Sequence, residues 1–240
     1  ARRMVMTILL AGASGLVGRH ALDMLLGTPE YTRILIPTRR DLAGSDRLGL
    51  LVQHPNVRQV IVDFAKLEDY ADDLRADHVL CALGTTIKQA GSQARFFEID
   101  RDMPVALARV TKAAGATRFA YVSSLGADED ARTFYLRSKG ETEALLRNVH
   151  VRGEGFESVT LLRPSLLLGD RGEFRFGERI GQGLGALVRP LLPARVKPVH
   201  AATVAAALIQ AVRQNHVGAR VAEGGALFEL AEGWRREVRD

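Results

Sequence analysis

Short apolar runs of strand length alternate along this chain with stretches whose apolar residues recur at helical spacing. "MTILLAG" is followed by the helical period of residues 16–26, then "RILIPTR", then "VRQVIVDF" with the helical "LEDYADDL". "ADHVLCALG" precedes a helix over 92–114, "RFAYVSS" precedes one over 134–149, and "SVTLLRPSLLLG" closes the series. Strands that read as continuous apolar runs, each followed by a crossover, specify a parallel sheet covered on both faces. The expected fold is therefore α/β, a doubly wound parallel sheet in one domain spanning 1–240. After Gly169 the rhythm breaks into short pieces interrupted by glycine and proline, before the Ala-rich helix "AATVAAALIQAVRQ". Residues of about 170–199 and 215–240 are expected to form small substrate-covering elements within that domain.

Composition narrows the function classes. The 240 residues are enough to bury a core without cross-links, and the single cysteine, Cys81, excludes a disulfide framework and a multi-cysteine zinc site. A lone cysteine suits a reducing compartment, so the expected location is the cytosol. No apolar run approaches bilayer length, and "ARRMVMTILLAG" runs directly into a glycine turn, so neither export nor membrane insertion is expected. The net charge is +5, but the arginines are spread along the whole chain, which argues against nucleic acid as the main partner. The six histidines form no H-x-x-H or H-E-x-x-H pair, so no metal is expected.

The glycines of "GASGLVG" carry the first chemical signal. Gly12, Gly15 and Gly18 follow a predicted strand and open a predicted helix, the context in which glycine spacing points to a phosphate cradle. Gly12 would allow the tight turn, Gly15 would let the backbone approach a pyrophosphate, and Gly18 would let the helix pack against the strand. Free amides at the helix start, aided by its dipole, would bind the phosphates. At the end of the second strand a 2′-hydroxyl site carries Asp or Glu, whereas "IPTRRD" has Arg39 and Arg40 there. Charge-assisted hydrogen bonds contribute about 1.5–3 kcal/mol each, so two arginines would favour a 2′-phosphate, and hence NADP(H) over NAD(H), by about two or more orders of magnitude. The bland alternative is a pair of solvated loop arginines. Asp63 is placed either to accept from an adenine amino group or to cap the helix near Leu67. Gly84 and Thr85 fall at the carboxyl edge of the fourth strand, where open α/β sheets bind ligands.

The second signal is "YVSSLGADEDARTFYLRSKGETE". Tyr135 and Lys139, four apart in a predicted helix, project from one face, and Ser123 and Ser124 end the preceding strand. An ammonium beside a phenol favours the phenolate and draws its pKa toward the neutral range, while a serine hydroxyl would hold a substrate oxygen.

On "CALGTTIKQAGS", "VSSLGAD", "FYLRSKGETEALL" and "LLRPSLLLGDR" the chain resembles the short-chain dehydrogenase/reductase superfamily, in its atypical group akin to NAD-dependent epimerases and dehydratases. More narrowly it is similar to the Tat-interacting oxidoreductases and their bacterial relatives, over roughly residues 7–211. The resemblance implies a Rossmann fold and NADPH held by Ser14, Gly15, Leu16 and Val17, by Arg39 and Arg40, and by Leu83 and Gly84. It further implies Tyr135 as proton donor or acceptor with Lys139 beside it, Ser165 and Leu166 at the nicotinamide amide, and Arg171 nearby. The superfamily's spacing to the tyrosine favours Ser123 over Ser124 as the catalytic serine. Members often pair as homodimers, although no isolated amphipathic stripe marks an interface here. Where the extended members carry Asn in the helix after the fourth strand, this chain has Asp100, which argues against a proton relay through that position.

The reading that follows is an NADP(H)-dependent oxidoreductase for a small carbonyl or alcohol substrate. Its rival is an NADPH-binding sensor with little turnover.

Overall fold

The computed structural model describes residues 6–44, 46–151, 155–168 and 198–238. Seven strands form one fully parallel sheet in the order β3-β2-β1-β4-β5-β6-β9, the doubly wound order expected. These strands are β1 (Met6–Ala11), β2 (Tyr31–Thr38), β3 (Val57–Ile61), β4 (His78–Cys81), β5 (Arg118–Val122), β6 (Ser158–Arg163) and β9 (Gly218–Glu223). Successive side chains of a strand point to opposite faces. Ile8, Leu10, Ile34, Ile36 and Leu80 accordingly pack on one face beneath α1 (Leu16–Leu26), α7 (Ala201–Arg213) and α8 (Gly225–Glu237). Leu9, Ala11, Leu35, Val79 and Phe119 pack on the other with Leu107 and Leu146, which belong to α5 (Met103–Ala113) and α6 (Phe134–Val151). A buried Leu or Ile contributes about 1.5–3 kcal/mol, so the two layers together supply the driving force that the unbroken apolar runs announce.

Four elements differ from the sequence expectation. The stretch after β3 is a 3-10 segment, Phe64–Tyr70, kinked at Lys66, in place of an α-helix. The helix expected over 92–114 begins as α4 (Gln93–Phe97), widens into a π-turn at Glu98–Asp102 and resumes as α5 with Pro104 in its first turn. "SVTLLRPSLLLG" divides at Pro164: β6 stays in the main sheet, whereas β7 (Leu167–Leu168) pairs with β8 (Val199–His200) in a separate two-stranded sheet. Residues 218–223, expected in a covering element, are the seventh strand of the main sheet, and α8 packs on α7. Most of the segment expected at 170–199 lies outside the described residues, as does Arg171. A short helix α3 (Ile87–Ala90) follows β4, and α2 (Asp46–Val52) precedes β3.

Candidate active site

The carboxyl ends of β1, β4 and β5 and the start of α6 surround a cleft that opens to solvent. Gly15, Leu16 and Val17 form one wall, Leu83, Gly84 and Thr85 a second, and Ser123, Ser124, Tyr135 and Lys139 a third.

The glycine turn is sterically obligatory at two positions. Gly12 has φ +88°, and a Cβ on it would sit 2.5 Å from the carbonyl oxygen of Ala82, just past β4. A Cβ on Gly18 would lie 2.0 Å from the Gly12 carbonyl oxygen, so α1 can approach the turn only without a side chain there. Gly15 is the N-cap of α1, and no side chain caps the helix. The first-turn amides of an uncapped helix are left to a ligand or to water. Ser14 is exposed, and its carbonyl accepts from Arg19 Nε at 3.0 Å.

Arg39 and Arg40 stand exposed directly after β2, the neighbour of β1. The Thr38 hydroxyl donates to the Arg40 carbonyl at 2.9 Å and fixes this turn, while neither guanidinium pairs with a described residue. Asp41, beside them, turns away: its carboxylate accepts from the Ala43 amide and from Gln59, which hold it below the usual carboxylate range. Asp63 caps the 3-10 segment, its Oδ1 accepting from the Ala65 amide at 3.0 Å.

Tyr135 and Lys139 both face the cleft from α6. Burial pushes the Tyr135 phenol up, against the opposing pull of Lys139 and of a hydrogen bond with the Ser124 side chain. The Tyr135 ring packs edge-on against Phe96, with centroids 5.9 Å apart. Lys139 is almost wholly buried; its Nζ lies 2.9 Å from Asp100 Oδ1 and donates to the Tyr121 hydroxyl at 2.8 Å. Burial opposes the lysine's charge, but Asp100 and the two tyrosines outweigh it and hold Lys139 well above its ordinary value.

Ser123 does not meet Tyr135. Its hydroxyl donates to Glu143 Oε1 at 2.6 Å inside the protein. Glu143, fully buried, also accepts from Arg163 through both oxygens, at 2.8 and 2.6 Å, and from Arg147 at 3.0 Å. Spacing favoured Ser123, whereas the side chain hydrogen-bonded to the Tyr135 phenol is that of Ser124. Continuing the period of two past Val122 sends Ser123 under α6, and Ser124, the next residue, is the one that reaches the phenol. Glu143 lies four residues beyond Lys139 on the same helix face, a signal present in the sequence. Tyr121 and Arg163 carried no such cue.

Thr85 donates its amide to Asp100 Oδ2 at 2.7 Å, and Thr86 and Gln89 extend the cleft beyond it. Ser165 and Leu167 line the far side; Leu166, between them, gives its carbonyl to Val199 in the small sheet. Among the described residues no group of three or more His, Cys, Asp or Glu could hold a metal ion.

A family model described as NAD(P)H-binding matches residues 12–215. The chain belongs to this NAD(P)H-binding family. Among curated members, the rat protein HTATIP2 is 35% identical over 173 residues, which cover 72% of this chain and 67% of that protein. The protein FMP52 of Saccharomyces cerevisiae is 30% identical over 187 residues, covering 75% of each. The Tat-interacting resemblance is thus met by a relative. FMP52 is named as mitochondrial, so the expected cytosolic location finds no support in it; no described helix is long and apolar enough to cross a membrane. Among solved structures, the dTDP-glucose 4,6-dehydratase DesIV of Streptomyces venezuelae, with NAD and TYD bound, superposes with a TM-score of 0.69 at 17% identity, over 98% of this chain and 81% of that one. MoeE5 in complex with UDP-glucose and NAD gives 0.66 at 18% identity, over 95% and 81%. These neighbours share the Rossmann-like fold of the NAD(P)H-binding family.

Proposed function

We propose that this member of the family is an NADP(H)-dependent oxidoreductase that interconverts a small carbonyl compound and its alcohol through Ser124, Tyr135 and Lys139. The observation that carries the reading is the meeting, in one cleft, of an uncapped glycine-opened helix with a buried tyrosine hydrogen-bonded to a serine and flanked by a lysine. The chain's residues suit a phosphorylated dinucleotide: Gly12 and Gly18 let the uncapped start of α1 pack tightly on the turn after β1, and the guanidinium groups of Arg39 and Arg40, which pair with no described residue, follow β2, where they would meet a ribose 2′-phosphate. When bound, the nicotinamide supplies or accepts the hydride at the substrate carbon. Ser124 holds the substrate oxygen, and Tyr135 exchanges the proton with it. Lys139 adds positive charge beside the phenol and keeps a proton available toward the cleft. Ser123 belongs to the supporting network through Glu143 and Arg163 and leaves the chemistry to its neighbour.

Screening a panel of aldehydes, ketones and quinones with NADPH, against the Tyr135→Phe variant, tests this reading. Turnover should vanish in the variant while NADPH binding is retained. Equal turnover in the variant would refute the mechanism, and binding without turnover by the parent protein would favour a nucleotide sensor.

A further inference from the structure

Asp100 is firmly held at the floor of the cleft. Its side chain is fully buried in the π-turn between α4 and α5. Oδ2 accepts the Thr85 amide at 2.7 Å, and Oδ1 faces the Lys139 ammonium at 2.9 Å. Its carbonyl oxygen is held too. Pro104, four residues on, has no N–H to donate to that carbonyl. The Tyr121 and Thr142 hydroxyls donate there, each at 3.1 Å. Tyr121 in turn receives Lys139, so carboxylate, ammonium and phenol form one closed cluster at the floor of the cleft.

Equal and opposite charges about 3 Å apart act on a third group as a dipole, whose influence falls faster with distance than that of a lone charge. The groups facing Tyr135 and Lys139 can be named element by element. They are Asp100 from the π-turn, Tyr121 from β5, Cys81 from β4, and the uncharged Ser124 and Thr85 from the adjoining loops. The buried Cys81 thiol, pushed up to about 12, stays neutral, and Tyr121 is likewise raised by burial. Asp100 is therefore the single anion among these groups.

We propose that Asp100 is a positioning residue whose charge offsets that of Lys139 and, together with burial, lets Tyr135 keep its phenolic proton across the neutral range, so that the site is set to reduce carbonyls. This rests on the oxidoreductase reading above. In the step so favoured, hydride adds to the carbonyl carbon, the carbon–oxygen π pair moves to oxygen, and that oxygen takes the Tyr135 proton to give the alcohol. The tyrosinate left behind recovers a proton from solvent. Oxidation of an alcohol would need the phenolate and would be confined to alkaline pH.

The titration itself needs neither substrate nor cofactor. The protein is labelled with tyrosine carrying 13C at Cζ, and its four tyrosines are titrated by NMR, with Tyr135→Phe identifying the Tyr135 signal. In the unsubstituted protein Tyr135 should titrate at or above the ~10 of a free phenol. In Asp100→Asn, which keeps the side chain's size and removes its charge, the midpoint should fall by about one pH unit or more. A Tyr135 midpoint in the neutral range in the unsubstituted protein, or no fall in Asp100→Asn, overturns the proposal. Should Asp100→Asn not fold, the titration of the unsubstituted protein decides alone. A midpoint that behaves as expected in a protein without turnover would refute the oxidoreductase reading and leave the charge assignment standing. An unmoved midpoint alongside Tyr135-dependent turnover would refute only the role of Asp100.

Discussion

Replacing Ser123 by alanine should weaken the fold and leave the chemistry of the cleft in place. The lost contact is a 2.6 Å hydrogen bond between two buried groups, one of them ionised. Hydrogen bonds to charged groups contribute about 1.5–3 kcal/mol. Glu143 retains both bonds from Arg163 and the one from Arg147, so it remains paired. The cost therefore stays below the ~3–5 kcal/mol of a buried charge stripped of its partner. A loss of about 2 kcal/mol lowers the melting temperature of a chain this size by about 4–8 °C. Ser124→Ala removes a hydroxyl that bonds Tyr135 at the cleft wall and makes only a long 3.4 Å contact to the Leu125 carbonyl. Its stability cost should stay under about 1 kcal/mol. Urea and thermal denaturation of the two variants without nucleotide measure both. A Ser124→Ala protein destabilised as much as Ser123→Ala, or a Ser123→Ala protein of unchanged stability, would refute the division of labour between the two serines.

Gly18→Ala should cost about 1–3 kcal/mol in urea denaturation and weaken NADPH binding at least tenfold, because the new methyl can be housed only by moving the start of α1 away from Gly12. At the opposite end of the sheet, Tyr31 and His78 share a buried hydrogen bond of 2.7 Å, and burial lowers His78 from 6.5 to about 4. The folded state thus binds a proton less readily than the unfolded chain. The stability His78 contributes is complete above pH ~6.5 and is lost as pH falls toward about 4, by about 3 kcal/mol. Urea unfolding between pH 7 and 4 should show this slope in the parent protein and lose that part of it in His78→Gln.

The fold was legible because its strands are continuous apolar runs and its crossovers keep helical spacing; Ile8 to Ala11 alone identify a strand buried on both faces. The glycine turn was legible for the same local reason, since a helix start without a side-chain cap is written in consecutive residues. β9 was missed because Gly218–Glu223 is a half-exposed edge strand whose place is decided by pairing with β6, a partner about 60 residues away. The choice between Ser123 and Ser124 depends on which face of β5 lies under α6, and a spacing rule carries no information about that. Asp100 could be noticed as a departure, but its partners come from the loop after β4, from β5 and from α6, and only the assembled sheet brings Thr85, Tyr121 and Lys139 to this one residue.

The central claim is that the glycine turn and the two arginines after β2 form a site for a 2′-phosphorylated dinucleotide. Calorimetric titration of nucleotide-free protein with NADPH and with NADH, repeated on Arg39→Ala/Arg40→Ala, tests it most directly. Tight NADPH binding, NADH binding at least tenfold weaker, and loss of that preference in the double variant are the expected results. Binding of neither nucleotide, or a preference for NADPH that survives removal of both arginines, would contradict it.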